Sequence, residues 1–173
     1  ENKEIKSSID NLRKYFDKEP DFQIDLTIDM NSMQGMDHSM MQMDSNEKIE
    51  WDDDMPAMNA MTTSKNIKWI IKDKATGKEN MDLNYKVKVG DVKKIRIFND
   101  PKSMHPMQHP MHLHGQRFLV LSVDGQQNKN FVWKDTVLVL KGSTVDILVE
   151  FTNPGEWMLH CHIAEHLEAG MMS

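Results

Sequence analysis

The sequence predicts an all-β fold, a Greek-key β-sandwich forming a single domain with one long Met-rich insertion. Three observations carry that expectation. Short runs alternate apolar with polar residues or are continuously apolar, turn residues separate them at close intervals, and helical periodicity is nearly absent.

Ile5, Ile9, Leu12 and Phe16 fall at helical spacing in a polar stretch that ends at Pro20, so residues 1–20 read as a short amphipathic helix or an interdomain linker. The domain itself is expected over residues 21–173. Phe22–Ile28 alternates as a half-buried strand does. From Met30 to Met61 the pattern gives way to Met, Asp, Asn, Ser, Gln and Gly, a low-complexity insertion over about residues 30–61. Strand candidates then follow at Ile67–Lys72, Tyr85–Val89, Val92–Phe98, Arg117–Val123, Thr136–Leu140, Thr144–Phe151 and Glu156–His162. Thr76-Gly77, Gly90-Asp91, Asp124-Gly125, Lys141-Gly142-Ser143 and Asn153-Pro154-Gly155 punctuate them.

A chain of 173 residues buries one good core. The net charge of −6 and the lack of a basic stripe argue against nucleic acid. No apolar run approaches the ~20 residues that cross a bilayer. The single cysteine excludes an internal disulfide. The chain opens at Glu1 on polar, helix-like sequence and reads as a piece of something longer, so a missing targeting signal carries little weight.

Two segments carry the chemistry: His109-Pro-Met-His112-Leu-His114-Gly115, and Cys161 between His160 and His162, followed by His166 and Met171. Side chains on a strand alternate between faces. Trp157, Leu159 and Cys161 are therefore expected on the core face, and Met158, His160 and His162 on an outward one. Cys161 can then hold a metal inside the sandwich while its covalent neighbours hold something on the far side, joined by two peptide units that give electrons a short route. His109, Cys161, His166 and Met171 match the two-His, one-Cys site with a weak axial Met that defines blue copper, with Met172 as an alternative axial donor. His112 and His114 join His160 and His162 as four imidazoles on the opposite surface. Zinc is the competing metal, but a structural zinc site wants closed finger-like ligand spacing and a second cysteine is absent.

These motifs resemble the third and fourth signatures of the multicopper oxidases, the family of laccases, ceruloplasmin and bacterial copper-tolerance oxidases. Trp133-Lys134-Asp135-Thr136-Val137 and Asn153-Pro154-Gly155-Glu156-Trp157 are also typical of its C-terminal cupredoxin domain. The resemblance runs from about Phe22 to Met172. It implies type 1 copper on His109, Cys161, His166 and Met171, a type 2 ligand in His112, and type 3 ligands in His114, His160 and His162. The implied activity is one-electron oxidation of Cu(I), Fe(II) or small phenols, with dioxygen reduced to water, outside the cytoplasm.

Three departures qualify it. The oxygen-reducing cluster needs two further His-x-His pairs, normally from an N-terminal cupredoxin domain, and the only other histidines are His38 and His105. The missing pairs must come from the same protein or a neighbouring subunit. The acidic residue that several relatives carry after the second type 1 histidine is replaced by Leu167, which leaves Glu165 and Glu168 as candidate proton carriers. The chain also stops soon after Met171, so a slightly incomplete sandwich is expected. A stand-alone cupredoxin electron carrier is the alternative function.

Sixteen methionines exceed what a core of this size uses. Met33, Met36 and Met40 surround His38 among Asp, Ser and Gln, a candidate Cu(I)-capture set because soft thioethers select Cu(I); a plain disordered insertion is the alternative. Asp52, Asp53 and Asp54 read as a solvated acidic run. His105, flanked by Met104 and Met107, reads as a surface histidine, with a role in copper access as the alternative.

Overall fold

A computed structural model describes residues 3–29, 49, 65–103 and 105–173. Met33, Met36, His38 and Met40 lie outside the described residues, as do Asp52, Asp53, Asp54 and Met104.

The elements run α1 (Lys3–Asp10), β1 (Phe22–Asp29), β2 (Lys68–Asp73), β3 (Val92–Asn99), β4 (His109–Leu113), β5 (Arg117–Val123), β6 (Gln126–Gln127), β7 (Trp133–Lys134), β8 (Thr136–Val139), β9 (Thr144–Glu150), β10 (Leu159–Cys161) and α2 (Ala164–Glu168). They form two sheets. The larger has the order β2-β1-β3-β9-β5-β6, with β7 also paired to β5, and the smaller is β10-β4-β8. Only β1 and β3 run parallel among the described pairs. Strand β9 returns between β3 and β5, the long connection of a Greek key. The expected β-sandwich is what forms.

Its core is the set of inward side chains from both sheets. Ile24, Leu26, Trp69, Ile97, Phe118 and Ile147 come from the large sheet, and Met111, Val139 and Cys161 from the small one. Strands β5 and β9 are buried on both faces, which explains their continuously apolar sequences. Their outer side chains Leu119, Leu121 and Leu148 lie under Ile9, Leu12 and Phe16, so the N-terminal helix and the turn after it cap the back of the large sheet. A bulge at Leu121 shifts the β5–β9 register there. Beside this cap, Arg96 donates to both carboxylate oxygens of Asp146 at 2.7 and 2.8 Å, and Lys94 Nζ donates to the carbonyls of Phe16 and Lys18 at 3.1 and 3.0 Å.

The structure corrects several expectations. Residues 85–89 alternate as a strand does but form none. Tyr85 instead stacks on Phe22 at 4.1 Å and donates its hydroxyl to Asp73 at 2.6 Å. The strand expected over 156–162 shortens to Leu159–Cys161, and α2 follows it, a helix the sequence pattern did not signal. At the chain's end, Ser173 and Leu159 exchange backbone hydrogen bonds at 2.9 Å each, so the last residues extend the small sheet beyond β10.

Leu12→Ala should destabilise the metal-free protein by about 2–5 kcal/mol, because it opens a cavity between the helical cap and the sheet. Denaturant unfolding measures it, and circular dichroism should show the β-sandwich intact.

Candidate metal centre

Strand β4 buries His109, Met111 and Leu113 and turns Pro110 and His112 the other way. Strand β10 pairs with it antiparallel, Leu159 opposite Leu113, His160 opposite His112 and Cys161 opposite Met111. Cys161 therefore enters the core on the side of His109. After Cys161 the chain makes the single turn of α2, which brings His166 back against both. Gly170, at φ +102°, then reverses the chain so that Met171 donates its N–H to the His166 carbonyl at 2.9 Å and accepts from the Cys161 N–H at 3.1 Å.

The first donor set results. His109 Nδ1 and His166 Nδ1 are 3.1 Å apart, and Cys161 Sγ lies 3.8 and 3.5 Å from them. An ion about 2.0 Å from each nitrogen and about 2.3 Å from a thiolate sets its donors about 3–3.8 Å apart. The spacing fits one shared ion. Met171 is fully buried in the same core as Cys161, whereas Met172 is partly exposed and its backbone bridges to His160. This alternation favours Met171 over Met172 as a fourth donor.

Electrostatics point the same way. Burial pushes the Cys161 thiol up to about 12, against a hydrogen bond from the Ile163 backbone. Burial and the neighbouring His105 push His166 down to about 3. Burial, then His166 and His105, hold His109 well below the usual histidine range. Both imidazoles are thus neutral and ready to donate, while the thiol lacks the positive charge that would ionise it. A metal cation supplies that charge.

The second set lies on the opposite face of β4 and β10. His112, His114 and His160 bring one ligand atom each to within 4.8 Å of one another. His114 Nε2 and His160 Nε2 are 2.9 Å apart. His160 Nδ1 lies 2.8 Å from the Cys161 carbonyl, and His112 Nδ1 3.0 Å from the Asp135 carbonyl. Where Nδ1 donates to these carbonyls, Nε2 carries no proton and its lone pair is the one offered to a metal. The His162 ring stands 5.7 Å from His112 and 5.8 Å from His160.

Turn chemistry fixes the end of β4. Gly115 has φ +62°, and a Cβ there would fall 2.2 Å from the Trp157 ring. Trp157 donates to the Asn153 carbonyl at 3.1 Å, and Asn153 donates to the Gly115 carbonyl. The segment Asn153–Trp157 thus clamps the turn after His114.

Some residues lie elsewhere than expected. Trp157 is 42% exposed over Gly115 rather than in the core, because the strand starts only at Leu159. His160 lies on the face away from the core, as expected, but is buried there beside the rings of His112, His114 and His162. His105 is not a surface histidine. It is 2% exposed, its ring 6.3 Å from that of Trp69, and burial and then Lys141 push it down to about 4. Glu165 and Glu168 are exposed on α2 and belong to neither group of converging ligand atoms among the described residues. Trp69, which stacks on His166, was missed. Its alternation marks an inward strand residue, but nothing local says what it covers.

A buried cysteine with two imidazoles, back to back with converging histidines, gives this β-sandwich two candidate sets of metal ligands. A family model of the multicopper oxidases matches residues 50–173, and the chain belongs to that family. It is 39% identical over 92 residues to the multicopper oxidase mco of Staphylococcus aureus, which covers 52% of this chain and 21% of that protein. The chain thus spans about a fifth of the length of such relatives. Among solved structures, the Campylobacter jejuni multicopper oxidase, described as a metallo-oxidase, shares the fold at TM-score 0.56 and 24% identity, over 90% of this chain and 29% of that one. A multicopper oxidase from Pediococcus acidilactici matches at TM-score 0.50 and 32% identity, over 60% of this chain and 22% of that one. Family membership implies copper, which a thiolate, two imidazoles and a thioether suit.

The unfolded chain protonates its histidines below about 6.5, whereas folded His105 and His166 resist down to about 4 and 3. Folding stability of the metal-free protein should therefore be full above pH 6.5 and fall as the pH drops toward 4. Thermal unfolding across that range checks it. Copper binding at pH 7 should release about one proton, from Cys161, measurable by calorimetry in buffers of different ionisation enthalpy.

Proposed function

We propose that this chain is the C-terminal copper-binding part of a multicopper oxidase that oxidises Cu(I) or Fe(II) outside the cytoplasm, in copper tolerance, and reduces dioxygen to water. In this reading His109, Cys161, His166 and Met171 hold the type 1 copper. His112 is a type 2 ligand, and His114, His160 and His162 are type 3 ligands. One observation carries it: Cys161 contributes its sulfur to one donor set while the adjacent His160 belongs to the other. Copper, when bound, supplies reversible one-electron chemistry at the first set and dioxygen binding at the second.

The chain's own residues do the rest. The Cys161 backbone is the covalent link between the two sets, and the Cys161 carbonyl also orients His160 through its Nδ1. Asp135 orients His112 in the same way. His109 and His166 are almost wholly buried, so an aromatic substrate has little ring surface to lie against. That supports a small metal-ion donor over phenols. The segment with Met33, Met36, His38 and Met40 supplies soft donors to capture Cu(I). Glu165 and Glu168 are the proposed proton carriers, their exposure keeping them in contact with water. The second set has half the histidines its cluster needs, so the partner is an N-terminal cupredoxin domain, in the same protein or a neighbouring subunit.

Loaded with copper, the chain alone should show the intense thiolate-to-copper charge-transfer band, and Cys161→Ser should abolish it. The chain alone should consume no oxygen; turnover by it would overturn the half-cluster assignment. In the whole oxidase, deleting residues 30–61 should lower Cu(I) oxidation while leaving phenol oxidation unchanged or faster. Equal loss of both would remove the capture role.

A further inference from the structure

Trp69 on β2 occupies a place that packing volume alone does not explain. It is 1% exposed, and its ring stacks on the His166 imidazole with 3.9 Å between centroids and 28° between planes. It meets His109 edge-on at 5.1 Å and 73°. One residue thus touches both imidazoles of the first donor set.

Its backbone holds the same loop. The Trp69 N–H donates to the Ala169 carbonyl at 3.0 Å, between His166 and Met171 in sequence. Its carbonyl accepts from Asn80 Nδ2 at 2.9 Å, while Asn80 Oδ1 accepts from the Ile71 N–H at 2.7 Å. Asn80 is buried at φ +48° and braces β2 on both sides of Ile70. A Cβ on Gly170 would lie 3.3 Å from Asn80 Nδ2, so the loop passes close against this brace.

The indole adds a cost. Trp69 Nε1 is buried with no hydrogen-bond acceptor among the described residues, a penalty that Phe or Leu would not carry. A wide aromatic face against an imidazole is what tryptophan offers in return.

We propose that Trp69, braced by Asn80, is a positioning residue for the copper centre. Its ring fixes the plane of the His166 imidazole, and its amide fixes the loop that carries Met171. Trp69 is not a ligand. It acts by limiting the orientations in which His166 donates, and ligand orientation tunes both affinity and spectrum. This rests on the copper reading above.

The test compares Trp69→Met and Trp69→Phe with the wild type, each loaded with copper. Trp69→Met should shift the charge-transfer band, broaden the copper EPR signal and weaken copper retention against a chelator by about 10-fold or more. Trp69→Phe, which keeps an aromatic face, should recover most of each property. Unfolding of the metal-free proteins separates lost packing from lost positioning. Unchanged spectra and retention in Trp69→Met overturn the proposal, as does a Phe variant no better than Met. If Trp69→Met does not fold, Asn80→Ala should weaken retention and shift the band in the same sense, and no change there overturns it too. A wild type without the band would remove the copper assignment itself.

Discussion

The pairing of β10 with β4 is the constraint on which both donor sets depend. In the observed register Cys161 enters the core beside His109, and His160 faces away beside His112. A slip of one residue would exchange the two faces, expelling the sulfur and burying the imidazoles in an apolar core. Three residues of β10 are few to specify a register, so bonds beyond the strand share the task. The Cys161 N–H is tied to the Met171 carbonyl, the His162 N–H to the Pro110 carbonyl, and the His114 N–H to the Met158 carbonyl. Each fixes a donor residue or its immediate neighbour by backbone rather than side chain, so the ligands keep their rotamers for the metal.

The large sheet bears the load that this arrangement cannot. Its strands β5 and β9 are buried on both faces, under α1 on one side and the sandwich core on the other. The Asp146, Arg96 and Lys94 group ties strand to strand and to the chain after α1. Among the described residues, the large sheet thus serves as a foundation, while short strands, turns and one brief helix hold both converging sets of imidazoles and the cysteine. Sites made of such segments are accurate only where a scaffold holds them, and Trp69 is the place where the large sheet reaches across to the donor loop.

Features that depend on near neighbours were legible in the sequence. Cys161 flanked by two histidines must present sulfur and imidazoles to opposite faces wherever the chain is extended, so the back-to-back sets could be read without a fold. Features set by distant partners were not. The alternation of Tyr85, Val87 and Val89 has the period of a strand, but Tyr85 is drawn to Asp73 and Phe22, and no strand forms there. His105 carries no local sign that it packs near Trp69. Extending the alternation past the point where pairing stops puts Trp157 inside, but the strand begins only at Leu159. Gly115, lacking a Cβ, gives its ring an outside resting place instead.

Three of the four proposed copper donors, Cys161, His166 and Met171, ride on a single short loop, and only His109 comes from a separate strand. Within that loop the donors are bonded to one another's backbones, Met171 to both His166 and Cys161. The isolated turn of α2 is too short to be stable by itself. Its order comes from those bonds and from Trp69 beneath it. A cation that gathers the three side chains therefore also holds the loop closed, so part of its binding free energy is local folding free energy. The buried thiol and the neutral imidazoles are the charge-level expression of the same coupling. Burial keeps a proton on the Cys161 sulfur and off the His166 ring, so a cation that binds there must displace the thiol proton as it closes the loop.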